Sequence, residues 1–151
     1  MEEKGIKIIS SNKKAHFNYF LSDFLECGIE LLGTEIKSIK LNGCSLNDSY
    51  IIIKNHEAYI LNMNIAPYSK GNIFNHEELR TRKLLMHKLE IRKYEQKLIK
   101  EGYTIVPTKV YLKKGRCKVE IALGKGKKNY DKRETIKKRD DERNMAKATK
   151  R

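Results

Sequence analysis

Apolar and polar side chains alternate with a period of two through much of this chain, the signature of half-buried β-strands. The alternation is cleanest at 116–123. There Cys117, Val119, Ile121 and Leu123 fall on an inward face and Lys118, Glu120 and Ala122 on an outward one. The run at 104–113 is apolar enough to pair with it, and Lys114-Gly115 supplies a hairpin turn. Pro107 lacks an N–H, which puts the first of these strands at an edge or a bulge. A second hairpin is expected from 50–54 and 58–65 around Asn55-His56-Glu57. Its second strand would turn Tyr59, Leu61, Met63 and Ile65 to one face and leave Asn62 and Asn64 on a wet one. Shorter strands read at 6–9, as an edge, and at 19–21 and 28–32. The last two flank Glu26-Cys27-Gly28, where Gly28 permits a bulge or tight bend.

Two stretches change to helical spacing. The first, 35–41, has Thr34 as N-cap and Asn42-Gly43 as C-cap, with Lys37 and Lys40 on one side and Ile36 and Ile39 on another. The second is expected over 78–101, ended by Gly102, with Leu84, His87, Ile91, Tyr94 and Leu98 as its core stripe. Leu85 lies off that stripe beside Arg82 and Lys88. It is either an apolar contact to a base or sugar or, if the helix breaks early, a core residue. Asn12-Lys13-Lys14 reads as a basic turn. Predominant strands, frequent turns and no βαβ rhythm make the chain mainly β: a small antiparallel barrel with inserted helices.

Charge changes the picture most at the end of the chain. Of 151 residues with a net charge of +14, those from Lys125 onward hold twelve Lys/Arg against five Asp/Glu, half of the excess. Ile136 and Met145 are the only large aliphatic residues there, too few to bury a helix face. The division expected is a body over 1–123 and a basic tail over 124–151, unstructured when free, with Gly124 and Gly126 as the joint. Nucleic acid is the leading partner for such a chain. An anionic membrane is disfavoured by the tail's lack of an apolar face, and no apolar run is long enough to span a bilayer, so the expected location is the cytoplasm.

Catalysis finds little support. Gly124-Lys125-Gly126-Lys127-Lys128 lacks phosphate-loop spacing, and no pocket chemistry accompanies Glu26 and Glu35. Cys27, Cys44 and Cys117, like the four histidines, fall into no ligand spacing, so neither a metal nor a cofactor is expected. The remaining signals favour RNA: basic residues at 12–14, at the Arg80-Arg82-Lys83 corner and in the tail, with tyrosines and asparagines between them.

The motifs then carry a resemblance. Asn12-Lys13-Lys14-Ala15, Glu26-Cys27-Gly28-Ile29, Gly33-Thr34-Glu35-Ile36-Lys37-Ser38 and Asp48-Ser49-Tyr50 come first. Arg80-Thr81-Arg82-Lys83-Leu84-Leu85, Gly102-Tyr103-Thr104-Ile105-Val106-Pro107 and Gly126-Lys127-Lys128-Asn129-Tyr130-Asp131-Lys132-Arg133 follow. In this order they resemble the bacterial SsrA-binding protein family (small protein B). The resemblance implies an OB-fold-like barrel, a monomer, that binds the tRNA-like domain of transfer-messenger RNA for ribosome rescue. It implies Asn12, Glu26, Leu85 and Lys118 as RNA contacts, with Lys13, Lys14, Lys37 and Arg82 as further RNA-binding residues. It also implies that the tail becomes helical on the ribosome, in the decoding centre and empty mRNA channel formed by small-subunit rRNA. Lys127, Lys128, Tyr130, Asp131, Lys132, Arg133, Lys137, Lys138 and Arg139 would bind there. The pairs Glu134 with Lys138 and Lys137 with Asp141 make such a helix available. The alternative is a permanent ribosomal protein with a basic arm.

Overall fold

In the computed structural model, which describes residues 5–69 and 75–127, the alternating segments pair edge to edge until the sheet closes on itself. The described elements run β1 (Ile6–Ser11), α1 (Lys13–Asn18), β2 (Tyr19–Ile29), α2 (Gly33–Asn42), β3 (Tyr50–Lys54) and β4 (Glu57–Leu61). They continue with β5 (Arg82–Leu85), α3 (Lys88–Glu101), β6 (Thr104–Lys113) and β7 (Arg116–Gly126). The strands are antiparallel in the order β1-β6-β3-β4-β5-β2-β7, and β7 pairs again with β6. The fold is therefore a mainly β antiparallel barrel carrying helices, as expected.

Inward residues of every barrel strand form one core, including Cys27, Ile51, Ile60, Leu84, Ile105, Val110, Val119, Ile121 and Leu123. Bulges in β1, in β2 after Ser22 and in β6 after Pro107 bend the strands so that the sheet can close. Pro107 thus sits at a bulge, one of the two places open to it. The hairpin at Lys114-Gly115 and the inward set on β7 match the alternation read from the sequence.

Several expected elements differ. The segments 19–21 and 28–32 are parts of one strand, β2, whose bulge lies at Asp23 (φ 50°) and not at Gly28. The basic turn at 12–14 opens α1. Asn12 is its N-cap, accepting from the Ala15 N–H at 3.2 Å. In α2 the cap is Leu32 rather than Thr34: the Glu35 carboxylate folds back to accept the Leu32 N–H at 2.7 Å, while Thr34 Oγ1 bonds His76 Nδ1 at 2.9 Å. The turn of the β3–β4 hairpin is Asn55-His56, both left-handed, as a two-residue turn requires. In β4 the inward residues are Ala58 and Ile60, the opposite phase to that expected. Asn62 (φ 62°) then shifts the phase by one, so that Met63 and Ile65 do enter the core.

The largest difference is at 78–101, which is not one helix. Residues 82–85 form β5, with Arg82 and Leu84 inward and paired to both β4 and β2. The helix begins only after His87, whose N–H is accepted by Glu90 at 2.9 Å. Ile91 and Tyr94 of the expected stripe are buried and Gly102 is the left-handed C-cap, but His87 is exposed and Leu84 reaches the core from a strand. At the joint expected between body and tail, β7 continues through Gly124 to Gly126, which pairs with Tyr19. A Cβ on Gly124 would lie 3.0 Å from the Tyr19 ring, so this glycine permits close approach and is no hinge.

Beneath β5 lies a buried ion cluster. Glu35 and Arg82 are both 0 % exposed. Arg82 Nε pairs with Glu35 Oε2, Arg80 Nη2 reaches Glu35 Oε1 at 2.6 Å, and Arg82 Nη1 donates to the Met63 carbonyl at 2.6 Å. Arg82 Nη2 spans the Glu77 and Glu78 carbonyls at 3.3 and 3.2 Å. Burial alone would raise the Glu35 carboxyl. Hydrogen bonds from Arg80, the Leu32 N–H and Arg82 outweigh it and hold the group below the ordinary range. Glu35→Ala leaves Arg82 buried without its counter-ion and is expected to destabilise the barrel by about 3–5 kcal/mol in urea unfolding. Because the folded carboxyl titrates below its unfolded value of about 4.3, wild-type stability from this group is complete above that pH. It is lost as the pH falls through the lowered folded value, a loss that Glu35→Ala should not show.

Candidate nucleic-acid interface

The outer face of the β2, β7 and β6 strands has two halves. At one end Val106 and Ala122, opposite each other across β6 and β7, are buried outside the main core, as is Ala15 of α1, which packs here. Asn12 locks α1 in place: its N–H reaches the Thr108 carbonyl at 2.8 Å and its Nδ2 the Pro107 carbonyl at 2.8 Å. At the other end the same alternation presents charged and aromatic groups. Glu26 stands opposite Glu120, Lys118 opposite Tyr111, and Lys109 opposite Glu120.

Next to this open half, strand phase places Leu85 outward, 50 % exposed, because Leu84 is inward. Leu85 pairs with Gly28, and a Cβ there would lie 3.2 Å from Leu85 Cδ1. Gly28 therefore lets the leucine lie against the sheet. Leu85, Gly28 and Lys118, with Ile36, Arg116 and Gly115, line a cleft of about 390 Å³. Of the two readings open for Leu85, the structure selects the exposed one, although the helix does break early.

Glu26 stands beside the cleft with its carboxylate held from two sides. Tyr111 Oη donates to Oε1 at 2.6 Å and Lys113 Nζ lies 3.5 Å from Oε2. The Tyr111 hydrogen bond is the main reason this carboxyl titrates below the ordinary range; partial burial opposes it, and Lys113 and Lys118 add to the lowering. Tyr111 is 5 % exposed, with the Lys109 ammonium 5.7 Å from its ring centroid. Burial and then the bond to Glu26 push its phenol up, so it remains a donor at neutral pH. A carboxylate with spare lone pairs, a lysine and an apolar side chain thus share one open surface: acceptor, cation and stacking surface for a nucleotide.

The other expected site residues are more scattered. Lys13 and Lys14 are exposed on α1, with Lys14 Nζ 4.0 Å from Asp48. Asn12, placed among the RNA contacts by resemblance, is 6 % exposed with its side chain committed to the protein. Lys37 is exposed on α2, its ammonium 5.7 Å from the Tyr68 ring centroid. Arg82 is a correction: expected to bind RNA, it is wholly buried in the Glu35 cluster and has no surface to offer. Lys127, expected in the tail, is anchored to the body, its N–H on the Asn18 carbonyl at 2.8 Å and its Nζ on that of His16 at 3.4 Å. Lys128, Tyr130, Asp131, Lys132, Arg133, Lys137, Lys138 and Arg139 lie outside the described residues. Tyr111 and Lys113 are the residues that sequence reasoning missed. Their signal is the alternation of Lys109, Tyr111 and Lys113 on the outward face of β6.

Among the described residues, no three His, Cys, Asp or Glu side chains converge to hold a metal ion, and no helix is long and apolar enough to cross a membrane. Burial pushes the thiols of Cys27 and Cys44 up to about 12 and that of Cys117 to about 11, which leaves them poor nucleophiles.

The SmpB protein family model matches residues 9–151. This chain belongs to the SmpB family. It is 59% identical to the SsrA-binding protein of Malacoplasma penetrans (strain HF-2), over 94% of this chain and 97% of that one. It is 53% identical to that of Trichodesmium erythraeum (strain IMS101), over 97% and 95%. A solved structure described as "tmRNA-SmpB: a journey to the center of the bacterial ribosome" superposes with a TM-score of 0.67 at 37% identity, covering 82% of this chain and 87% of that one. In this SmpB-family chain, Tyr111→Phe removes the principal cause of the Glu26 shift. A carboxyl-carbon NMR titration is expected to find Glu26 ionising at a distinctly higher pH in the variant than in the wild type.

Proposed function

We propose that this chain binds the tRNA-like part of transfer-messenger RNA with the open half of its barrel face and brings it to stalled ribosomes, as a cytoplasmic monomeric adaptor and not an enzyme. The observation that carries the reading is the gathering of Leu85, Gly28, Lys118 and Glu26 on one accessible surface. These residues come from three strands far apart in sequence, in a chain whose relatives are named SsrA-binding proteins.

The chemistry is divided among them. Lys118 meets phosphate, releasing counterions. Leu85 packs on an exposed base or sugar. Glu26 accepts base N–H groups and repels bare phosphate, so a plain duplex, which presents phosphate everywhere, is disfavoured. The basic residues beyond Lys127 serve a second RNA. Standing in for absent codon–anticodon pairing, they occupy the decoding centre and empty mRNA channel of the small subunit, and fold into a helix there. Body and tail then bind different RNAs, the boundary following β7 and not preceding Gly124.

Electrophoretic titration is expected to show tighter binding to the tRNA-like RNA than to an ordinary tRNA; equal affinities would overturn the reading. Lys118→Ala should weaken binding and reduce the slope of log K against log salt by about 0.7–0.9. Ending the chain after Lys127 should leave affinity for the tRNA-like RNA unchanged while abolishing rescue of ribosomes stalled on a message without a stop codon. Lost RNA affinity in that truncation would sink the division of labour.

A further inference from the structure

The Glu26 carboxylate is held more firmly than an outward-facing glutamate on a strand requires. An ionised carboxylate offers about four acceptor sites, two on each oxygen. Tyr111 takes one on Oε1, and Lys113 approaches Oε2. Each oxygen then keeps an acceptor site, on a group that is 37 % exposed. Both supports come from β6, whose packing between β7 and β1 makes it a rigid platform. Tyr111 itself is almost wholly buried, and its ring is further fixed beneath the Lys109 ammonium.

We propose that Tyr111 is a positioning residue that holds Glu26 as a reader of one unpaired guanine in the bound RNA. The inference rests on the RNA-binding reading above and specifies what that surface recognises. Two adjacent acceptors call for two adjacent donors. Guanine presents such a pair on its Watson–Crick edge, N1–H beside the N2 amino group. Adenine sets an acceptor beside its amino group, cytosine does the same, and uracil has a single N–H between two carbonyls. A carboxylate free to rotate would accept from any of these amino groups. One whose two oxygens are held from β6 favours the base that offers it two donors together. Guanines in a duplex have this edge occupied, so the base must be unpaired, as in a loop or at a tertiary corner of a folded RNA. Lys118, directly opposite Tyr111 in the β6–β7 pair, is placed for the phosphate of the same or the next nucleotide.

The test uses the full-length protein and the tRNA-like RNA, with each loop guanosine replaced in turn by inosine, which lacks the N2 amino group. One replacement is expected to weaken wild-type binding roughly tenfold, the size of a lost hydrogen bond to a charged group. Tyr111→Phe, with an unchanged melting temperature, should weaken binding to the unmodified RNA by a similar factor. Combined with that inosine, it should lose little more than either change alone. The pH at which affinity fails on acidification should also rise in Tyr111→Phe, a shift that a purely structural tyrosine would not produce. If no inosine replacement matters, or if the two losses multiply, the guanine assignment is overturned. Should Tyr111→Phe prove unstable, Glu26→Gln takes its place, retaining the side-chain shape while removing the second acceptor; insensitivity of that variant's affinity would equally overturn it. Wild-type protein that fails to prefer the tRNA-like RNA would instead remove the functional reading beneath it, so the two failures are distinguishable.

Discussion

The structure depends on one desolvated carboxylate. Glu35 reaches from the first turn of α2 beneath the sheet, and Arg82 reaches inward from β5 to meet it; neither touches water. Two charges so placed cost several kcal/mol of hydration each unless every lone pair and N–H finds a partner. Here Arg80, the Leu32 N–H and the carbonyls of Met63, Glu77 and Glu78 complete the set. The consequence reaches the surface through strand parity. With Arg82 inward, Leu84 must also be inward and Leu85 outward; a slip of one residue would expose a buried guanidinium's pocket and bury Leu85. An apolar barrel core would tolerate such a slip far more easily. The ion cluster thus fixes the phase of the strand that presents the exposed Leu85.

This coupling also explains where the sequence misleads. The alternation of β7 was legible because its inward and outward residues differ in kind, so Lys118 could be placed outward directly. In 82–85 the inward residues are an arginine and a leucine, and the outward ones a lysine and a leucine. Polarity carries no period there, and the segment merges with the helical stripe that follows. His87 is not a usual N-capping residue, so the start of α3 gives no warning either. A charged residue is read as a surface residue unless its partner is known, and Glu35 lies 47 positions away in the chain. The sequence therefore points Arg82 to the surface, whereas it belongs to the interior.

The short helix α1 carries no sequence signal of its own, for a related reason. Six residues cannot sustain a helix alone, and this one is held by Asn12 bridging to the Pro107 and Thr108 carbonyls, contacts that no local pattern reveals. Gly124 illustrates the reverse error. Ahead of a Lys-Gly-Lys run a glycine suggests a loose joint, whereas across the sheet the Tyr19 ring leaves no room for a Cβ. At the candidate site, motif resemblance points to Glu26, Leu85 and Lys118. It does not point to Tyr111, whose meaning depends on a carboxylate 85 residues earlier. What is local in a barrel is readable, and what closes it is not.

The two halves of the outer face also bear on the proposal that one small chain engages two RNAs. The half covered by α1 is where the chain leaves the barrel. Lys127, just past β7, is tied to the last carbonyls of α1 through both its N–H and its ammonium, where the helix dipole favours a cation. Its ammonium lies 5.1 Å from the Phe20 ring centroid as well. Whatever follows Lys127 therefore starts from a fixed point on the same three strands that carry Glu26, Tyr111 and Lys118. A tethered segment gains effective concentration at its target when its root is held near that target. Docking of the barrel face on one RNA would then set the origin from which the basic residues search for the other. On that proposal those three strands are recognition surface at one end and anchorage at the other.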